Sequence, residues 1–419
     1  MFLRLLILTL ILASFSSVHA QEPAPKFIIK GYGETIYSYF DYGPDQRSGL
    51  NGSPSDSRAI MDIPRVVTEM KYYFDSSMYV EFEVEYEHGG TGSALELEFE
   101  EFGEFEQEVE KGGEILVEQF YLKKTFAPTF SVQLGHFTIP IGMLNRFDKP
   151  TDFLTVSRPE AARALIPVSW HETGLALSGS WKNLGYRLGL VNGLDGTGFS
   201  SKFWVRDGYQ GRFEQVDATD LAYFLHANYS GFKNFHLAGS FYRGNTSGNR
   251  PKDDMEGIDA HVTIAEAHAR YQNQQVRIYG QFLYGDLANS DRVTRSNSLL
   301  SNNLGVARTP VAANATLYSI EGAFNLFALN SSSTEGELLP FLRYEHYNSM
   351  EDVEGLVFAD PRFERNVITA GINFLPNKNV VFKAEYAHRT LGDSKFNDEN
   401  TISIGFGIQG EFLNVLSTN

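Results

Sequence analysis

The sequence predicts an all-β chain: a transmembrane antiparallel β-barrel of about sixteen strands, with short periplasmic turns and long extracellular loops. Three observations predict it. Segments of strand length with a period of two recur from end to end. The connections between them alternate short and long. The polar faces of the segments carry charges, which a sealed core would not accept. Composition points the same way, with 33 Phe, 21 Tyr and 38 Gly and no long apolar run beyond the first twenty residues.

The chain opens with "MFLRLLILTLILASFSSVHA". Arg4 supplies a basic start, Leu5 to Phe15 an apolar stretch, and Val18-His19-Ala20 a small-x-small cleavage pattern. Residues 1–20 are therefore expected to be a secretory signal peptide. The reading continues with a flexible lead over 21–26, a barrel over 27–412 and a short tail over 413–419. An exported chain with no cysteine holds together without disulfides. Its net charge of −17 argues against a nucleic-acid partner, because binding phosphates needs a basic surface.

Strands are expected at 27–40, 58–74, 78–89, 114–125, 129–138, 168–180, 184–192, 217–230, 234–243, 257–271, 275–285, 315–327, 338–347, 364–375, 379–390 and 399–412. The connections after the second, fourth, sixth, eighth, tenth and fourteenth are short: "DSS", "APT", "KN", "GFK", "NQ" and "NK". The turn near 328–337 is longer, and the connections on the other side are longer still. A soluble sandwich has no reason to sort its loops by side, whereas an outer-membrane barrel does. In the last strand Ile402, Ile404, Phe406, Ile408 and Phe412 alternate with Thr401, Ser403, Gly405, Gln409 and Glu411. In 275–285, Ile278, Phe282 and Tyr284 oppose Arg277, Tyr279 and Gln281. Sixteen strands enclose a lumen too wide for wall side chains to fill, so the apolar faces are expected to meet lipid and the polar faces water. Aromatic clusters near strand ends, among them Tyr72 to Phe74, Trp181, Tyr229, Phe232, Phe374 and Phe412, fit interfacial girdles.

The stretch "YVEFEVEYEH" states the pattern most plainly. Val80, Phe82, Val84 and Tyr86 alternate with Glu81, Glu83, Glu85 and Glu87, so one face is oily and the other acidic. The four glutamates are expected to line the pore. Lys71, on the polar face of the preceding strand with Glu69 and Arg65, is placed to pair across to them. Further pore-lining bases read by parity are Arg187, Arg270, Arg277, Lys383 and Arg389, expected to pair with Glu266, Glu385 and their neighbours. His226, His236 and His268 also fall on inward faces.

Two segments carry a family likeness. From Val132 the chain reads "VQLGHFTIPIGMLNRFDKPTDFLTVSRPEAARALIPVSWHETGLALSG", and near its end "ITAGINFLPNKNVVFKAEYAHR". Gly135, Phe137 and Pro140, then Gly174 and Gly179, and the turn residues Gly371, Asn373, Phe374, Pro376, Asn377, Asn379 and Val380 resemble the phosphate-selective porin O/P family of Gram-negative bacteria. The resemblance implies a sixteen-stranded, trimeric diffusion channel of the outer membrane whose third loop folds inward. Anion traffic, which the family's name implies, requires rows of inward Arg and Lys. The most regular inward row here is acidic, so weak cation preference or near neutrality is expected.

The third long connection, about 139–167, carries Arg146, Lys149, Arg158 and Arg163 against Asp148, Asp152 and Glu160. Folded into the lumen, it would set these charges opposite the wall glutamates and make a transverse field across a constriction. The plainer reading is a solvated surface loop. The second loop, "LELEFEEFGEFEQEVEK", packs eight glutamates between Glu96 and Glu110. Carboxylates at this density suit Ca²⁺ or ions bridging to lipopolysaccharide, but the spacing matches no fixed ligand order and a solvated acidic hairpin is the simpler expectation.

No catalytic motif, phosphate loop or metal-ligand spacing is present, so no enzyme activity, cofactor or metal is expected. The function these observations support is passive passage of small hydrophilic solutes or ions. A second reading, of a different class, is an outer-membrane adhesin, receptor or structural partner acting through the acidic loop.

Overall fold

The structure is a computed structural model that describes residues 25–44, 55–89, 96–97, 107–108, 114–210, 216–300, 308–329 and 336–416. The expected leader, and all of the acidic segment 96–110 except two backbone pairings, lie outside the described residues. Those pairings, Glu96 with Glu108 and Leu97 with Gln107, form a small hairpin.

Sixteen strands close into one antiparallel barrel. They are β1 (Pro25–Pro44), β2 (Ser55–Asp75), β3 (Met78–Glu87), β4 (Glu114–Ala127), β5 (Phe130–Thr138), β6 (His171–Trp181), β7 (Leu184–Asn192), β8 (Leu221–Tyr229), β9 (Phe235–Asn245), β10 (His261–Gln272), β11 (Val276–Leu287), β12 (Asn314–Phe324), β13 (Glu337–Asp352), β14 (Glu364–Asn377), β15 (Val380–Leu391) and β16 (Glu399–Leu416). Each pairs with its sequence neighbour, and β1 closes the ring on β16 from Asp41 with Asn400 down to Phe27 with Val415. Among the described residues two α-helices lie in the long connections: α1 (Glu160–Ala164) and α2 (Ser290–Ser298).

Every expected strand is present, and the differences are at the ends. Residues 413–416, read as tail, continue β16 and pair with the start of β1. Residues 217–220, read as strand, do not belong to β8. The Asn249 side chain takes up the Asp220 backbone there: Asp220 N–H donates to Asn249 Oδ1 at 2.9 Å, and Asn249 Nδ2 donates to the Asp220 carbonyl at 3.0 Å. The Asp220 carbonyl also accepts from Gly193 N–H at 3.2 Å, so a side-chain amide competes with the strand pairing here, which strand periodicity does not show.

The outward face is a continuous apolar belt. Ile404 is 53% exposed and Phe412 65%, with Ile368, Ile372, Phe282, Ile320 and Leu342 likewise outward. Toward the short turns an aromatic girdle follows, with Phe74, Phe126, Phe130, Trp181, Phe232 and Phe235 exposed. A soluble protein does not leave such a belt in water. Closure explains why the belt can face hydrocarbon, since no strand edge is left there to lose several kcal/mol per unpaired backbone group.

The inward face departs from a uniformly charged wall. Toward the long-loop ends of β8, β10, β11 and β12 it is apolar, with Phe224, Val262, Ile264, Leu283 and Leu317 buried. Loop residues pack onto them: Ile139, Ile141, Leu165, Ile166 and Trp170 from the connection after β5, Trp204 and Val205 from the one after β7, and Val293 of α2. Gly285 of β11 makes room for this plug, because a Cβ there would stand 2.1 Å from the Trp204 ring. Part of the lumen is therefore dry protein interior rather than water.

The belt has a direct test. Ile404→Arg should destabilise the barrel by about 2–4 kcal/mol, the cost of a basic side chain deep in the bilayer, whereas Ile404→Leu should stay within about 1.5 kcal/mol. Reversible denaturant unfolding in lipid vesicles reads both; equal stability of the two variants would mean that this face does not meet lipid.

Candidate functional site

The site is the lumen at the level of the connection between β5 and β6, residues 139–170. Within β5, three residues before its end, Gly135 takes a φ of 129°, and a Cβ at that position would meet the Phe120 carbonyl oxygen at 2.3 Å. The segment then enters the barrel. Asn145 ties its two limbs together, donating to the carbonyls of Ile141 at 2.7 Å and Pro167 at 3.0 Å and accepting from Trp170 N–H at 3.0 Å.

Wall side chains hold the segment from several directions. On one side Lys149 Nζ meets Glu69 of β2 at 2.7 Å, and Asp148 accepts from Tyr32 of β1 at 3.0 Å and Arg65 of β2 at 3.3 Å. On another, Arg146 meets His226 of β8 at 2.9 Å, Ser240 of β9 donates to the Pro140 carbonyl at 2.8 Å, and Arg270 of β10 donates to that of Asp152 at 3.1 Å. Across the barrel, Lys383 of β15 donates to the carbonyls of Phe153 at 2.9 Å and Thr155 at 2.7 Å, and Asn373 of β14 to that of Leu154 at 2.8 Å. Glu385 accepts from Val156 N–H at 2.7 Å and Glu345 from Ala161 N–H at 3.0 Å. Glu160 of α1 closes the set, accepting from Arg389 at 2.6 Å and from Tyr347 at 2.8 Å.

The segment's charged groups are tuned by this seating. Burial drives the Glu160 carboxyl upward, but Arg389 and Arg365 outweigh it and hold the group below the ordinary carboxylate range. Burial works against the Lys149 ammonium, and Glu69 more than compensates. Asp152, buried more than it is paired, is raised.

The expected site residues fall as follows. Glu81, Glu83 and Glu85 point inward and are buried; Glu87 is half-buried near the long-loop end of β3. Lys71 pairs with Glu81 at 2.9 Å, and Tyr121 also donates to Glu81. Arg277 pairs with Glu337 near the short-turn end, not with Glu266. Lys383 serves backbone carbonyls, and Arg389 reaches both Glu160 of the segment and Thr401 of the wall. Of the loop bases, Lys149 meets a wall glutamate. Arg146 goes to His226, Arg158 reaches Ser169 of its own segment at 3.5 Å, and the Arg163 carbonyl accepts from Arg206 at 3.4 Å. The expected polarity is thus half reversed: the segment also brings carboxylates, Asp148 and Glu160, to wall arginines.

Two polar cavities adjoin the segment. One, of about 180 Å³, is lined by Glu69, Glu81, Glu83, Glu118 and Asp148, with Lys149 as its only Lys or Arg. The other, of about 240 Å³, is lined by Lys123, Arg146 and Arg187 with no carboxylate and lies toward the short turns. Gln119 lines both. Glu118 was not legible in the sequence. A β-bulge in β4 pairs Glu83 with Gln119 but Val84 with Val117, leaving Glu118 as the extra residue. Glu118 and Gln119 both line the acidic cavity, which a strict period of two would forbid. Among the described residues no group of His, Cys, Asp and Glu is arranged to hold a metal ion.

A closed sixteen-stranded sheet with a lipid-facing belt and a loop-crossed polar lumen defines a porin-like barrel of the Gram-negative outer membrane. Solved structures of similar fold include the outer membrane channel DcaP of Acinetobacter baumannii, with a TM-score of 0.55 and 10% identity over 94% of this chain and 100% of that one. They also include Salmonella typhi OmpF in complex with daunomycin (TM-score 0.54, 12% identity, 92% of this chain and 98% of that one) and an anion-selective porin from Comamonas acidovorans (0.53, 10%, 92% and 100%). At these identities the likeness is one of fold. An uncharacterized protein of Aquifex aeolicus (strain VF5) is 26% identical over 372 residues, 88% of this chain and 77% of that protein. No family model matches.

Glu160→Gln should loosen the segment, because Arg389 would lose one of its buried carboxylate partners and keep only those of the wall, a loss of about 1.5–3 kcal/mol. The same contact sets a pH dependence. A carboxyl held below its unfolded value stabilises the seating above the ordinary carboxylate range, and that stabilisation is lost as pH falls through the depressed value. The protection of amides 153–165, taken as the exchange rate relative to the intrinsic rate at each pH, should therefore be high and flat from neutral pH down to about 5, then fall below about 4, where free carboxyls protonate. In the Gln variant it should be low throughout.

Proposed function

We propose that this chain is a passive diffusion channel for small hydrophilic solutes and ions, with residues 139–170 forming its constriction. One observation carries the reading: the segment lies across the lumen and is held by side chains from β1, β2, β8, β9, β10, β13, β14 and β15. Such a segment narrows the passage without a moving part. The pore-lining roles fall to Glu81, Glu83, Glu85 and Lys71 beside Asp148 and Lys149, with Arg146 and Arg187 on the basic side. The likeness to the phosphate-selective porin O/P family is then one of barrel class rather than of solute. An anion entering from the long-loop side would meet the carboxylate-lined cavity before the basic one. The assembly proposed is a homotrimer, with lipid and the acyl chains of lipopolysaccharide against the exposed belt.

Planar-bilayer recording of the purified protein should give stable stepwise conductance, and reversal potentials in a KCl gradient should show weak cation preference or near neutrality. A silent barrel would overturn the channel reading, and strong chloride or phosphate preference the charge reading. The chain has no cysteine, so thiol labelling is free of background. Lys149→Cys treated with a negatively charged methanethiosulfonate should change the conductance. Lys395→Cys, at an exposed position between β15 and β16, should not. Equal responses would place 139–170 off the conduction path.

A further inference from the structure

The charges around the acidic cavity do not balance. Glu69 is matched by Lys149 at 2.7 Å, Glu81 by Lys71 at 2.9 Å and Asp148 by Arg65 at 3.3 Å. Two lining carboxylates are left over. Glu83 accepts from the neutral amide of Gln119 and meets no cation among the described residues. Glu118, only 4% exposed, keeps one carboxylate oxygen with no hydrogen-bond partner; the nearest imidazole nitrogen, on His171, stands 3.7 Å away. Glu85 abuts Glu118 and has an unpartnered oxygen of its own. A bulge places Glu118 here, and bulges recur where a side chain must be re-aimed. Unpaired buried carboxylates are costly unless something compensates them.

We infer that the acidic cavity is a subsite for the cationic head of a passing solute, an alkylammonium or guanidinium group, held between Glu83 and Glu118. Several features favour an organic cation over a compact metal ion. The carboxylates are spread around a chamber of about 180 Å³ and do not converge on a point. That space equals several water volumes at ~30 Å³ each. Tyr32, Asn145 and Ser169 line it as well, offering oxygens to N–H donors. The basic cavity on the other side of Gln119 then suits the anionic end of the same solute, so amines that also bear a carboxylate are the favoured class. This inference rests on the channel reading above.

The test is single-channel recording in KCl with ethylammonium or L-arginine added at millimolar concentration. The wild-type channel should show brief current interruptions that saturate with either probe, L-arginine being the more effective. Glu83→Gln combined with Glu118→Gln should weaken the interruptions at least tenfold, and Glu351→Gln, on the exposed end of β13, should leave them as they are. Heat-modifiable electrophoretic mobility verifies that each barrel is folded. A single Glu118→Asp variant, which keeps the charge, should retain interruptions and guards against a double variant that fails to fold. A channel that conducts K⁺ but shows no interruptions overturns the subsite while leaving the channel reading intact; a silent barrel overturns both. Interruption by Mg²⁺ but not by the amines, or amine interruptions that the double variant preserves, would likewise overturn it. So would Glu85 and Glu118 neutralising each other by sharing one proton, seen as a wild-type channel indifferent to amines across the neutral pH range.

Discussion

Everything in this molecule depends on satisfying backbone hydrogen bonds where no water can do it. Within hydrocarbon an open sheet edge is not tolerable, so β1 must find β16 along nearly its whole length. Closure fixes the rest. It makes one face of every strand lipid-facing and the other luminal, and with sixteen strands it makes a lumen that side chains alone cannot fill. What enters that lumen must come from loops, and the loops must satisfy their own backbone there. The segment 139–170 does so by handing its carbonyls to Lys383, Asn373 and Arg270 and its N–H groups to Glu385 and Glu345. The inward charges of the wall thus serve as hydrogen-bond partners for irregular chain as much as they serve as lining for water.

Much of this was legible because a strand in a membrane barrel has one job per face. The alternation of Ile402, Ile404 and Phe406 with Thr401 and Ser403, or of Phe82 and Val84 with Glu81 and Glu83, carries orientation directly, and these residues stand as that alternation implies. The inward course of 139–170 rested on a resemblance, and its partners could not be read at all. Whether Arg389 pairs with Glu385 beside it or with Glu160 far along the chain depends on where a loop lands. Local pattern is silent on that.

Two features defeated the pattern for specific reasons. The apolar plug was hidden because Phe224 and Leu283 alternate with outward residues that are also apolar, Tyr223 and Leu225 for the one and Phe282 and Tyr284 for the other, so that a stretch of wall reads as greasy on both sides. Such a stretch signals that protein, not water, covers the inner face. Glu118 was hidden by a bulge. One extra residue between Val117 and Gln119 shifts the parity of half a strand, and it does so where the lumen is most acidic.

The anchors of the luminal segment also bear on the order in which the molecule can be put together. Glu160 is secured by Arg389 and the Phe153 carbonyl by Lys383, partners 229 and 230 positions further along the chain. Those residues belong to the penultimate strand, so the latch for the segment is among the last parts to be made. Until it arrives, 139–170 has its contacts on the earlier strands and the Asn145 clasp, but Glu160 lacks Arg389 and the Phe153 and Thr155 carbonyls lack Lys383. Contacts of such long range are entropically slow to form. Insertion of the final hairpin therefore does two things in one event: it seals the wall and it fastens the bar across the opening.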